Sequence, residues 1–308
     1  MSEQYKIAGY ITAYENPTAV IDCINAITCQ SLPVEKLLIV DNSSTKPLLH
    51  LTNQENILIK FHPENIGIGA GLTWAIAWAI KQGYDFLWAF DQDSVPEYNC
   101  LEILLEVYKK FSSNKYKIGI TAPTPIDSRN NKIVQGAVFK KDSFRGYGSE
   151  SLTNPYDCDA PITSGSLISI AAAKTIPPPR SDLFIDGIDL DYGLRLKQAG
   201  YHNLIVPNAF MKHNFGEPLK IKFINKEIII QKYSALRHYY ICRNHTYLET
   251  NYAQGVYKFI SVLRRVKYLI YTIIKIIVFD PKNKFFKMWG CLIGTFHGLI
   301  GKLGKTWN

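Results

Sequence analysis

Phe86-Leu87-Trp88-Ala89-Phe90-Asp91-Gln92-Asp93-Ser94 is an apolar run that ends in a closely spaced pair of acids. Five apolar residues bounded by polar ones read as a buried strand, with two carboxylates flanking a single residue at its end. Carboxylates so placed can converge on a hard divalent cation, which can bridge the phosphate oxygens of a nucleotide. An acidic pair at a strand end is equally an ordinary solvated turn. The other strands decide between the two.

Upstream the same pattern recurs. Tyr5–Thr12 reads as a buried strand, and Asn16-Pro17 opens an apolar-periodic helix through about Thr28. Lys36–Val40 is a second strand running into Asp41, Asn42, Ser43 and Ser44. Ile57–Phe61 is a third, followed by the glycine-rich turn Asn65-Ile66-Gly67-Ile68-Gly69-Ala70-Gly71 and a helix across Leu72–Lys81. Strands alternating with helices at this spacing specify a parallel α/β sheet with right-handed crossovers. Ligands of such sheets lie beyond the carboxyl ends of the strands. Polar residues collect there: Thr12, Ala13, Tyr14 and Glu15 after the first strand, Asp41 after the second, Asn65 after the third, and Asp91, Gln92 and Asp93 after the fourth.

The glycines read GxGxG rather than GxGxxG and follow the third strand, which disfavours a dinucleotide-binding oxidoreductase. Close approach to a phosphate and close helix packing account for them equally well. From Asn130 to Thr163 the pattern suggests hairpins and loops, and helical periodicity returns at Leu190–Ala199 and from about Val256. In Phe184-Ile185-Asp186-Gly187-Ile188-Asp189-Leu190-Asp191, Asp189 falls near a helix start, where the dipole favours its carboxylate. A carboxylate there can accept the proton of a hydroxyl nucleophile. Asp186 and Asp191 read as capping residues. His213, in His213-Asn214-Phe215-Gly216, is either a structural histidine or a third metal ligand beside two carboxylates.

Taken in order, Thr-Ala-Tyr from Thr12, Asp41, NIGIGAG, FDQDS, TSGSLIS, DGIDLDYGLR and HNFG resemble glycosyltransferase family 2 with the GT-A fold. Within it they are most similar to bacterial rhamnosyltransferases of cell-surface polysaccharide assembly, over about Ile7 to Glu249. The resemblance implies a sugar transfer with inversion from a nucleotide diphosphate, dTDP-L-rhamnose, to a polyprenyl-linked glycan. It implies Mg²⁺ or Mn²⁺ held by Asp91, Asp93 and His213, and Asp189 as the catalytic base. Thr12 to Glu15 and Asp41 would hold base and ribose, Asn65, Gly67, Gly71 and Gln92 the donor, and Ser164 and Gly165 would lie near sugar and acceptor. Glu15 departs from the pattern, since many relatives have Asn there. Galactofuranose, glucose or N-acetylglucosamine as the sugar, and a non-catalytic nucleotide-sugar scaffold, are the alternatives.

Charge is divided unevenly. Met1–Pro218 has 19 Lys and Arg against 23 Asp and Glu, whereas Leu219–Asn308 has 16 against 3. A basic tail of this kind implies an anionic partner. Val256–Phe279 and Phe285–Leu303 read as basic amphipathic helices with aromatics, suited to an anionic membrane surface, or else to packing on the catalytic core or on a second subunit of a homo-oligomer. No nucleic-acid-binding motif accompanies the charge. The sequence therefore divides into a catalytic domain, 1–250, and a C-terminal helical region, 251–308. Six scattered cysteines without a CxxC pair, no signal-peptide pattern at Met1–Tyr10 and no uncharged apolar run of spanning length suggest a cytoplasmic protein, peripheral on the inner face of the plasma membrane.

Overall fold

Seven consecutive buried residues, Ile7–Ala13, form β1 at the centre of the sheet. After the helix α1 (Pro17–Thr28), the strand β2 (Lys36–Asp41) lies parallel to β1, and β3 (Ile57–Phe61) lies parallel to β2. The helix α2 (Gly67–Gln82) then leads to β4 (Phe86–Asp91), parallel to β1 on its other side. Strands of a parallel sheet are covered on both faces, so they read as unbroken apolar runs. α1 starts where Asn16 Oδ1 accepts the Ala19 N–H, with Pro17 in the first turn. α2 starts five residues earlier than its apolar periodicity suggests, because the glycine run belongs to the helix. The computed structural model describes residues 5–45, 48, 55–148, 152–214, 217–223, 226–280 and 282–307.

The rest of the sheet is mixed. β5 (Ser94–Pro96) and α3 (Cys100–Phe111) are followed by the long strand β6 (Ile118–Asp127). A hairpin of β7 (Gly136–Lys140) and β8 (Ser143–Tyr147) and the short β9 (Tyr156–Cys158) fill the loop-like region. Next come β10 (Ser166–Ser169), the single turn α4 (Ile170–Ala173), α5 (Ile188–Gln198) and β11 (His202–His213). The strand order is β3-β2-β1-β4-β10-β6-β11-β5, with β9 on β11. β10 runs antiparallel to both β4 and β6, and β11 runs parallel to β6.

These residues up to Asn214, without 139–144 and 182–187, make one compact unit. The second comprises Phe139–Phe144, Asp182–Gly187 and Phe215–Asn308. In it an antiparallel hairpin, β12 (Glu217–Phe223) and β13 (Lys226–Lys232), precedes three helices, α6 (Ala235–Tyr252), α7 (Val256–Phe279) and α8 (Lys284–Leu299). α6 buries Arg243, whose guanidinium donates to the carbonyls of Asp182 and Leu183 at 3.1 and 3.0 Å. Asn244 donates to those of Leu183, Ile185 and Asp186 at 2.7–2.9 Å. α8 lies against α6 along Gly290, Gly294 and Gly298, where a Cβ would stand 2.7, 2.3 and 2.4 Å from the carbonyl oxygens of Ala235, Tyr239 and Arg243.

In the first unit Gly69 plays a comparable part. A Cβ there would lie 2.4 Å from the Arg180 carbonyl oxygen. An alanine ordinarily favours a helix over glycine by about 1 kcal/mol. Here the clash reverses the sign, and Gly69→Ala is expected to destabilise the protein by about 1–3 kcal/mol. Urea unfolding of the variant measures it, and a stabilised Gly69→Ala would show that α2 and the segment 179–181 have room to part.

Candidate functional site

The polar strand ends expected from the sequence do lie together at one edge of the sheet. Thr12 is in register with Asp91 across β1 and β4, and Ala13 with Asp41 across β1 and β2. Beyond the last paired residues, side chains continue the pairing. Gln92 Oε1 accepts the Tyr14 N–H at 2.7 Å and Gln92 Nε2 donates to the Tyr14 carbonyl at 3.0 Å. Gln92 thus clamps β1 to β4 and leaves the Tyr14 ring exposed.

Glu15 adopts φ +49°, the left-handed region that Asn tolerates better than Glu. Its amide donates to Ser43 Oγ at 2.8 Å and its carboxylate accepts the Ser44 N–H at 2.7 Å. That amide holds the Glu15 carboxyl below its usual range. Asp41 is buried and accepts the Ser43 N–H at 3.0 Å, while Asn42 Oδ1 accepts the Ile66 N–H at 2.9 Å. Asn65, at φ +51°, accepts the Gly67 N–H at 3.0 Å. Gly71 faces inward: a Cβ on it would meet Tyr10 Oη at 2.5 Å. Close packing accounts for Gly69 and Gly71.

The acidic pair is held by a buried chain of polar groups. The Asp91 N–H donates to Ser164 Oγ at 3.1 Å, Ser164 Oγ lies 2.6 Å from Ser94 Oγ, and Ser94 Oγ lies 2.7 Å from His213 Nδ1. His213 Nδ1 is in turn 3.4 Å from Asp93 Oδ1. Gly165, next to Ser164, donates to the Ala89 carbonyl and accepts from the Trp88 indole at 2.9 Å. Burial, and after it the charges of Asp91 and Asp93, push the Cys23 thiol up.

Asp93 and His213 therefore meet, as a third-ligand reading of His213 requires. An oxygen and a nitrogen donor side by side suit a divalent transition ion such as Mn²⁺. Among the described residues no three Asp, Glu, His or Cys side chains gather into a metal-sized group. Phe215 and Gly216 lie outside the described residues. Ser94 and Asn42 are the functional neighbours that sequence reasoning passed over. Their one signal was position, each next to an acidic strand end.

The three acids near α5 have separate environments. Asp191 is buried, and its carboxylate binds the Arg195 guanidinium at 2.8 Å. Arg195 also donates to the carbonyls of Pro177 and Pro178, which makes the pair a brace. Asp186, in the second unit, pairs with Arg237 at 3.3 Å, and burial pushes its carboxyl up. Asp189, in the first turn of α5, is half-buried and accepts the Leu190 N–H at 2.9 Å. A helix N-terminus favours its ionised form.

The serine chain makes a direct test. Ser94→Ala removes one hydroxyl, and with it one buried hydrogen bond each from Ser164 Oγ and His213 Nδ1. We expect a loss of about 1–3 kcal/mol in urea unfolding. A variant as stable as the parent would mean that these groups find other partners.

Comparison with known proteins agrees with this geometry. Residues 10–149 match the family model Glycosyl transferase family 2. The chain is 28% identical over 277 residues to dTDP-rhamnosyl transferase RfbF of Shigella flexneri, covering 87% of each. Its fold is similar to that of GalNAc-T7 with UDP, GalNAc and Mn²⁺, with TM-score 0.56 and 14% identity over 68% of this chain and 43% of that one. It is also similar to S. aureus TarS 1-349 in complex with UDP, with TM-score 0.50 and 12% identity over 91% of this chain and 74% of that one. Residues 10–149 are thus similar to glycosyltransferase family 2, the chain as a whole is similar to a dTDP-rhamnosyl transferase, and its mixed α/β fold is of the GT-A type.

Proposed function

We propose that the chain transfers L-rhamnose from dTDP-L-rhamnose, with inversion, to a polyprenyl-linked saccharide of cell-surface polysaccharide synthesis. Residues 1–250 would be the catalytic part. The similarity to RfbF over 87% of both chains supports the donor. The observation that carries the chemistry is the meeting of Asp93, His213 and the Asp91 backbone through Ser94 and Ser164 at the carboxyl ends of the strands.

In this reading Thr12 to Glu15 and Asp41 hold base and ribose, Asn65 and Gly67 approach the ribose and diphosphate, and Ser164 and Gly165 border the sugar. Asp91, Asp93 and His213 would hold Mg²⁺ or Mn²⁺, which neutralises the diphosphate as negative charge develops on it. Asp189 takes the proton of the acceptor hydroxyl. The acceptor oxygen bonds to the anomeric carbon as the bond from that carbon to the diphosphate oxygen breaks, and dTDP leaves with the electron pair. The place of Asp189 in the first turn of α5, half-buried and within reach of solvent, supports that role.

Thermal shift with dTDP, UDP and GDP, each with and without Mn²⁺, tests the donor. Saturation at 100 times the dissociation constant stabilises by about 2.7 kcal/mol. The largest shift is expected with dTDP and Mn²⁺, and Asp93→Ala should abolish the metal-dependent part while staying folded. A larger shift with UDP would assign another sugar, and unchanged metal dependence in Asp93→Ala would remove that residue from the metal site.

Asp189→Asn keeps the shape but cannot take a proton. It should bind dTDP as the parent does and lose about 10²–10⁴-fold in turnover. Turnover within a few-fold of the parent would remove Asp189 as the base. A parent chain that binds dTDP-L-rhamnose but turns over no acceptor would favour the scaffold alternative.

A further inference from the structure

α7 and α8 are built inside out. On α7 the buried positions are Ser261, Arg265, Thr272 and one aliphatic residue, Ile276. Arg265 reaches Thr246 Oγ1 at 3.2 Å and the Glu249 carboxylate at 3.5 Å. The stripe turned to solvent is Phe259, Leu263, Val266, Ile270, Ile274 and Ile277, spaced by four, three, four, four and three residues. On α8 the buried side is Gly290, Gly294 and Gly298 with Lys287, Cys291 and Thr295. Its outward stripe is Phe285, Trp289, Leu292, Phe296 and Leu299, and Phe285 is 76% exposed.

An amphipathic helix in a water-soluble unit turns its apolar stripe toward the core. The glycine seam explains the reversal on α8. Its backbone lies so close to the α6 carbonyls that only small residues fit there, and the large ones point away. Contiguous exposed apolar surface of this kind marks a binding face. The charge around it names the occupant. From Ala253 to Asn308 the chain has ten Lys and Arg and a single acid, Asp280. That acid is already paired with Lys287 at 2.6 Å. Two copies meeting through these stripes would set cation against cation, without the opposite charges that flank a helical dimer seam.

At the α7–α8 turn a cavity of about 540 Å³ is lined by Lys232, Arg237, Lys282 and Lys287, with Asp280 the one acid in its lining. Phe285 and Phe286, both exposed, follow Lys282 closely in the chain. A cationic cavity beside exposed aromatics matches an amphiphile with a phosphate head and apolar tails. Among the described residues no helix is long and apolar enough to cross a membrane.

We propose that α7 and α8 lie flat on an anionic phospholipid surface, their stripes in the acyl boundary and the cavity holding a lipid phosphate. The proposal deepens the reading of a polyprenyl-linked acceptor by naming the surface on which the enzyme meets it. The test is sedimentation of the full chain with phosphatidylcholine vesicles, with and without phosphatidylglycerol. No donor or acceptor is present, so failure here leaves the transfer reading standing.

The parent should bind anionic vesicles about ten-fold or more tightly than neutral ones, and the preference should shrink as salt rises. Phe285→Ser with Trp289→Ser should lower binding to anionic vesicles about ten-fold or more, each ring having lost its apolar burial. Lys232→Glu with Lys282→Glu should remove the anionic preference while sparing residual binding to neutral vesicles. Circular dichroism checks that both variants fold, and the charge variant carries the test if the apolar one does not. Parent-like binding of either variant overturns the proposal. So does a parent dimer, by sedimentation equilibrium, that dissociates in Phe285→Ser with Trp289→Ser, since the stripes would then face a second copy.

Discussion

Ser94 Oγ and Ser164 Oγ lie 2.6 Å apart, both nearly sealed from water, and the acidic edge of the sheet is assembled around that contact. A buried hydroxyl, imidazole nitrogen or amide N–H costs free energy unless it finds a partner inside the protein. Meeting that demand ties the end of β4 to β5, to the loop before β10 and to the end of β11. The acidic edge is thereby held by Ser164, 73 positions from Asp91, and by His213, 119 positions from Ser94, as well as by the local turn. Trp88 braces the same place from within the sheet, through its indole and the Gly165 carbonyl.

The same requirement sorts the acids of the 184–191 segment. A carboxylate that loses water must gain a cation or a donor. Asp191 gains Arg195 and Asp186 gains Arg237, and each is thereby committed to holding structure. The left-handed φ of Phe184 and Asp186 is held by Asn244, which gathers three carbonyls of that turn. Asp189 stands in the first turn of a helix with water still in reach. Three carboxylates within six residues differ in chemistry because their partners differ.

What the sequence made legible follows from what each element buries. β1 to β4 were readable since doubly covered strands are continuous apolar runs that end in polar residues. β6 escaped notice because Pro123 and Pro125 argue against an interior strand, yet it lies between β10 and β11. The slip in β11 register between Val206 and Phe210 absorbs that irregularity. α6 escaped because its buried side carries Arg243, Asn244, Thr246 and Glu249, which leaves no apolar period to see. In the site, the acidic pair and His213 were legible as residue types at strand ends. The Ser94–Ser164 contact was not, being a pairing across 70 residues. Of the two readings of the glycines after Asn65, close helix packing is the one that the contacts of Gly69 with Arg180 and Gly71 with Tyr10 support.

Phosphate chemistry gives the uneven charge a physical sense. In the proposed reading the body, with 19 cations and 23 acids, must bind a diphosphate at an edge lined by carboxylates. Like charges repel there, so in that reading a cation would stand between them, with Asp91, Asp93 and His213 proposed to hold it. The tail, with 16 cations and 3 acids, needs no intermediary: its lysines can meet phosphate directly. A carboxylate-bound ion can be tuned to a single small ligand at close range. Dispersed lysines flanking apolar stripes attract any anionic surface, at strengths that fall with salt. In the proposed reading the first arrangement would give the site its selectivity and the second would give the helix pair its address, so one chain could carry both without confusing them.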